Sequence, residues 1–149
     1  MTIPFIQTMT ALRHERWQGP PPAAAGEWAV TGAFRFAHRD PATLMGRERR
    51  LFQATWYGLE SFAPALRVVV VPATLEVLEQ VLRRLAAHLM EHWSVPSPQG
   101  AIEAAAEEIE FARSLADHPA GTVLALEREF NEQGLIERAR VVASPADRR

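Results

Sequence analysis

Residues 66–93 constrain this 149-residue chain more than any other stretch. Residues 66–71 are a β-branched run, apolar on both faces after Arg67, which suits a central strand buried on both sides. Pro72 closes the run, and Thr74 carries the hydroxyl needed to cap a following helix. Over residues 75–93, Leu75, Leu78, Leu82, Leu85, Leu89 and Trp93 recur at helical spacing and form a stripe. A buried strand followed by an amphipathic helix requires a sheet with helices laid against it, so the chain must mix α and β.

The flanking segments extend that pattern. A proline-rich turn at residues 94–100 precedes a second helix over residues 101–116. Ile102, Ala105, Ala106, Ile109 and Ala112 face one way, with Glu103, Glu107 and Glu110 on a solvated side. Phe111 lies opposite Ile109, which gives this helix a second apolar side. The end of the chain reads as a hairpin: Leu124, Leu126 and Phe130 alternate with Glu127 and Glu129, Asn131-Glu132-Gln133-Gly134 turns, and residues 135–142 return. Glu127 and Glu129 would then face Arg138 and Arg140, each pair contributing roughly 0.2–1 kcal/mol.

Upstream, residues 8–17 read weakly as a strand, and residues 19–26 break regular structure. Residues 27–37 read as the clearest strand, with Trp28, Val30, Phe34 and Phe36 on one face and Gly32 in its middle. Asp40-Pro41 is an N-cap followed by a proline at the first helical position. A broken helical stretch then runs to Tyr57, with Leu51, Phe52, Thr55, Trp56 and Leu59 on its apolar side. The expected element order is ββ-α-β-αα-ββ: an α+β fold with about five strands in an antiparallel or mixed sheet and about three helices on one face. Residues 1–143 make one domain, and the polar tail 144–149 frays.

Composition narrows function by exclusion. The net charge of −2 leaves no electrostatic footprint for nucleic acid or an anionic membrane. All cationic side chains are arginine, so a Schiff-base lysine is excluded, and the arginine, alanine and proline usage points to a GC-rich bacterial genome. The chain has no cysteine, which excludes disulfides, thiolate catalysis and cysteine-ligated metal sites. Its start lacks the basic and apolar regions of a signal peptide, and its longest apolar run is far shorter than a membrane span. A bacterial cytoplasmic protein is the expectation. Neither a G-x-S-x-G elbow nor a phosphate-cradling glycine loop is present.

Four groups of residues carry candidate chemistry. His88-Leu89-Met90-Glu91-His92 fits H-x-x-E-H, in which two imidazoles four apart share a helical face and can bind zinc. Glu103, Glu107, Glu108 or His118 would have to supply the third ligand. The plainer explanation is two histidines at the negative end of a helix dipole. His38-Arg39-Asp40 offers an acid–base pair at a strand end, although Asp40 is better explained as the cap. Arg47, Arg49 and Arg50 could hold a phosphate, or simply form a solvated helix face diluted by Glu48. The aromatic residues Trp28, Phe34, Phe36, Phe52, Trp56, Tyr57 and Phe62 crowd together; those left exposed would make a contact surface.

The stretch Glu27-Trp28-Ala29-Val30-Thr31-Gly32-Ala33-Phe34, with Phe52, Gly58-Leu59-Glu60-Ser61-Phe62 and Pro119-Ala120-Gly121-Thr122, resembles a family of uncharacterised small alphaproteobacterial proteins, a domain of unknown function. The likeness spans residues 27–142 and rests on glycine and aromatic positions. These positions specify packing rather than chemistry, and the resemblance implies an accessory role, with no catalytic residues to carry over. The expected function is therefore non-catalytic protein–protein contact, as an accessory subunit or homodimer, with Trp56, Tyr57, Phe62 and Phe111 as interaction residues. The alternative is a small metal-binding protein or zinc-dependent hydrolase built on His88 and His92.

Overall fold

The computed structural model describes residues 1–10, 17, 20–37, 39–93 and 95–148. Strands β1 (Thr2–Met9), β2 (Ala29–Val30), β3 (Trp56–Gly58), β4 (Pro64–Ala65), β5 (Arg67–Thr74), β6 (Val123–Asn131) and β7 (Gly134–Ala143) accompany helices α1 (Gly46–Ala54), α2 (Leu75–His92) and α3 (Pro98–Leu115). The α+β class holds, with the strands divided between two sheets. One is four-stranded in the order β1-β5-β6-β7, and the other is three-stranded in the order β2-β3-β4. All the pairings are antiparallel.

The β-branched run becomes β5, flanked by β1 and β6; Val68 and Val70 are buried on one face, whereas Val69 and Val71 on the other are only half-buried, so the strand is central without being sealed on both sides. Thr74 ends β5 and caps α2 at once, its hydroxyl accepting from the Val77 amide at 3.1 Å. Ser97 caps α3 in the same way through the Gly100 amide, with Pro98 in the first turn. Leu78, Val81, Leu85, Ala86 and Leu89 of α2 meet Ala101, Ala105, Ile109 and Ala112 of α3 in one core with Ile6, Val70, Leu124 and Leu126. Small alanines on α3 let the two helices lie close, and each fully buried leucine contributes about 1.5–3 kcal/mol.

Several boundaries differ from the sequence reading. The first described strand is Thr2–Met9, and most of the segment expected as a strand, residues 11–16, lies outside the described residues. The strand expected over 27–37 is reduced to Ala29–Val30 followed by a 3-10 turn at Ala33–Phe36. Gly32 is the cause. It turns the chain at φ +77°, and a Cβ there would sit 2.1 Å from the Tyr57 ring. The helical stretch expected to reach Tyr57 ends at Ala54, after which Trp56–Gly58 pair as β3. Leu75 and Ile102 are exposed, because Val81 and Ala101 hold the buried faces instead. Pro145–Arg148 form a 3-10 turn.

One buried cation ties these parts together. Arg128, on β6, has no exposed side-chain surface. Its Nε donates to Glu137 on β7 at 2.9 Å, its Nη1 to the Phe52 carbonyl at 2.7 Å, and its Nη2 to the Thr31 and Thr55 carbonyls. The guanidinium also lies over the rings of Phe36 and Phe52. Arg128→Leu is therefore expected to cost about 3–5 kcal/mol in urea unfolding at neutral pH, since it leaves Glu137 and these carbonyls without a donor. A loss below about 1 kcal/mol would show that the network does not join the parts.

Candidate functional site

The histidine pair lies at the end of α2, and the turn after β3 is built to meet it. Glu27, itself buried, accepts hydrogen bonds from the amides of Ala24, Glu60 and Ser61 and from the Ser61 hydroxyl, at 2.8–3.1 Å. Gly58 leaves room for it: a Cβ at Gly58 would fall 2.4 Å from the Glu27 Oε1. From the other side Arg84, on α2, donates to the Leu59 and Glu60 carbonyls. Pinned twice, the turn presents Phe62 in a left-handed conformation, φ 55°.

Phe62 stacks on His88 with ring centroids 3.6 Å apart and planes 3° from parallel. The Trp93 indole donates to His88 Nε2 at 3.3 Å, and Phe34 meets the same imidazole edge-on. His92 lies with its ring 4.7 Å away and stays largely exposed. The pair is thus together as the motif requires, yet one His88 nitrogen already serves as an acceptor. Among the described residues no three His, Asp or Glu side chains gather around a metal position. Glu103, Glu107, Glu108 and His118 do not join the pair there.

Burial chiefly lowers the pKa of His88, helped by His92 and Arg35 and opposed by Glu91. A histidine lowered in this way contributes stability that is complete above pH 6.5 and lost as pH falls through the folded value.

The other sequence candidates scatter. Trp56 and Tyr57, proposed as interaction residues, lie inside the core and present no surface to a partner; they pack there because β3 is the middle strand of its sheet. Phe62 is half-buried against His88. Of the His38-Arg39-Asp40 group, His38 lies outside the described residues; Asp40 caps the turn Pro41–Thr43, and Arg39 pairs with Glu48. Arg47, Arg49 and Arg50 line the exposed side of α1.

Phe111 does reach a surface feature. Together with Glu107 and Glu108 of α3 and Leu135, Ile136 and Glu137 of β7, it lines a groove of about 480 Å³. Two charged residues at this groove carried a signal of burial: Arg128, which sequence reasoning missed, and Glu108, which it weighed only as a third metal ligand. Arg128 shares the parity of Leu124, Leu126 and Phe130, a charge on the apolar face of its strand. Glu108 falls on the buried stripe Ala101, Ala105, Ala112. Its carboxyl is pushed from 4.5 up to about 7, by burial first and by the Glu137 carboxylate next, with Glu107 adding and Arg128 opposing.

An acid raised in this way contributes stability that is complete below its unfolded value and lost as pH rises through about 7. Glu108→Gln should consequently gain on wild type by about 1–3 kcal/mol between pH 5 and pH 8, read from urea unfolding at each pH; an unchanging gap would contradict the burial of this carboxyl. For the histidines, nitrogen-15 NMR should show His88 with its proton on Nδ1 and a midpoint below 6.5. A proton on Nε2 at neutral pH would contradict the indole hydrogen bond.

No curated protein and no solved structure matches the chain. A family model does match, over residues 20–148. With nearly the whole fold inside that match, from the Glu27 cradle to the β6–β7 hairpin, the chain belongs to a family of unknown function (DUF6505).

Proposed function

We propose that the protein is non-catalytic and acts by binding another polypeptide, as an accessory subunit or within a homo-oligomer. The observation that carries this reading is the surface at the end of the β6–β7 hairpin. Phe130 on β6 and its cross-strand partner Leu135 on the outer strand β7 are 51% and 45% exposed there, and Leu135 lines the groove with Ile136 and with Phe111 of α3. A cluster of large apolar side chains at the edge of a sheet is the kind of surface that gains from being covered by a partner.

The alternative, a metal-binding protein or zinc hydrolase using His88 and His92, draws its support from the two rings 4.7 Å apart. It would have to displace the indole donor from His88 and recruit a third ligand. Native mass spectrometry of untagged protein from its own host separates the two. Wild type is expected to carry a second polypeptide or a second copy at fixed stoichiometry. The double variant Phe130→Asp/Leu135→Asp is expected to be a folded, bare monomer. A bare wild-type monomer would overturn the reading, as would one zinc per chain that disappears in His88→Ala/His92→Ala.

A further inference from the structure

Resting on the partner-binding reading, we propose that β7 receives an extended segment of a different protein as a fifth strand of the four-stranded sheet, and that this segment sets an arginine or lysine over Glu107, Glu108 and Glu137.

The backbone supplies the first half of the inference. β7 runs for ten residues and, among the described residues, is paired on one side alone, to β6. An antiparallel edge of that length presents a row of open amide and carbonyl groups, the template used in strand addition. The groove supplies the second half. Its floor is apolar, from Phe111 and Leu135, and its rim carries three carboxyl groups. Of these, Glu137 is engaged by Arg128, whereas Glu107 and Glu108 accept no hydrogen bond from any described residue. A side chain with a long apolar stem and a cationic end suits such a groove, because its stem covers the floor while its charge reaches the rim.

The opposite face of β7 defines the rest of the segment. Cross-strand partners share a face, so Arg138 and Arg140 stand on the side away from Glu137, opposite Glu127 and Ala125. An added strand with carboxylates at alternate positions would face those arginines. The same arginines argue against a second copy of this chain. Two β7 strands related by a two-fold axis oppose residues of one face. Registers centred on Arg138, Ala139 or Arg140 would set Arg138 against Arg138, Arg138 against Arg140, or Arg140 against Arg140. Like charges placed directly opposite destabilise a pairing.

The test uses the full chain and a capped nonapeptide with leucine and arginine at odd positions and threonine and glutamate at even ones. The peptide should give backbone NOEs to β7 and slow the exchange of every second β7 amide. Replacing its arginines by glutamate should weaken binding about tenfold or more, and so should Glu107→Gln/Glu108→Gln in the protein. Affinity for the arginine peptide should rise from pH 6 to pH 8 as Glu108 ionises, in a setting that includes Glu107 on its own helix and Glu137 and Arg128 from the sheet. Equal affinity for the charge-reversed peptide, or binding that leaves β7 amides unprotected, would overturn the proposal. A native complex that depends on Phe130 and Leu135 yet leaves β7 exchange unchanged would remove strand addition alone. Absence of any native complex would remove the partner-binding reading with it.

Discussion

A guanidinium sealed from water at the centre of a sheet strand is tolerable only if every direction it points in is answered, since stripping it of solvent costs several kcal/mol. Arg128 is answered from three places that are far apart in sequence. Glu137 meets it across the hairpin, Phe52 and Thr55 meet it from the end of α1, and Thr31 meets it from the entrance to the 3-10 turn. The last carbonyls of α1 have no intrahelical donor, and Arg128 supplies one of them. The placement of α1, of the turn bearing Phe34 and Phe36, and of β7 therefore depends on one side chain. The groove inherits its charge from the same source. One cation stands among Glu137, Glu108 and Glu107, and Glu137 engages it most closely, which leaves Glu108 as the carboxyl that burial disfavours.

Glu27 is the complementary case, a buried anion held by backbone amides rather than by a cation. Its main chain also exchanges hydrogen bonds with Thr8 of β1, whose hydroxyl accepts from the Glu27 amide. One residue thus joins the edge of the large sheet to the turn after β3. The aromatic cluster around His88 follows from that tether, because Phe62 sits in the turn it holds.

The parts of this fold legible in the sequence were those set by periodicity. The β5 run, the α2 stripe and the hairpin alternation each describe a local surface, and local surfaces fix element type. What misled was a residue whose conformation is decided from elsewhere. Gly32 looks like a gap in an alternating strand, but the Tyr57 ring occupies the space above it and the chain turns there. Trp56 and Tyr57 read as continuing a helix because their apolar spacing is ambiguous over so few residues; pairing to Val30, Pro64 and Ala65 makes them strand. The candidate site divides in the same way. His88 and His92 were visible as a pair because helix geometry brings them together, and Phe111 was visible as a second apolar side of α3. Arg128 and Glu108 broke apolar patterns, and a charge that breaks such a pattern signals a buried partner.

The junction of β5 and α2 has a mechanical meaning. Thr74 is the last residue of the strand and the cap of the helix, so no residue between them is free to act as a hinge. Any displacement of α2 along its axis pulls on the end of β5, which is held there by β1. The two elements should therefore open as a single cooperative unit. The aromatic cluster at the far end of α2 is thus carried on a rigid arm rooted in the middle of the sheet, whereas the hairpin tip lies at the sheet's outer margin, where adjustment disturbs the core least.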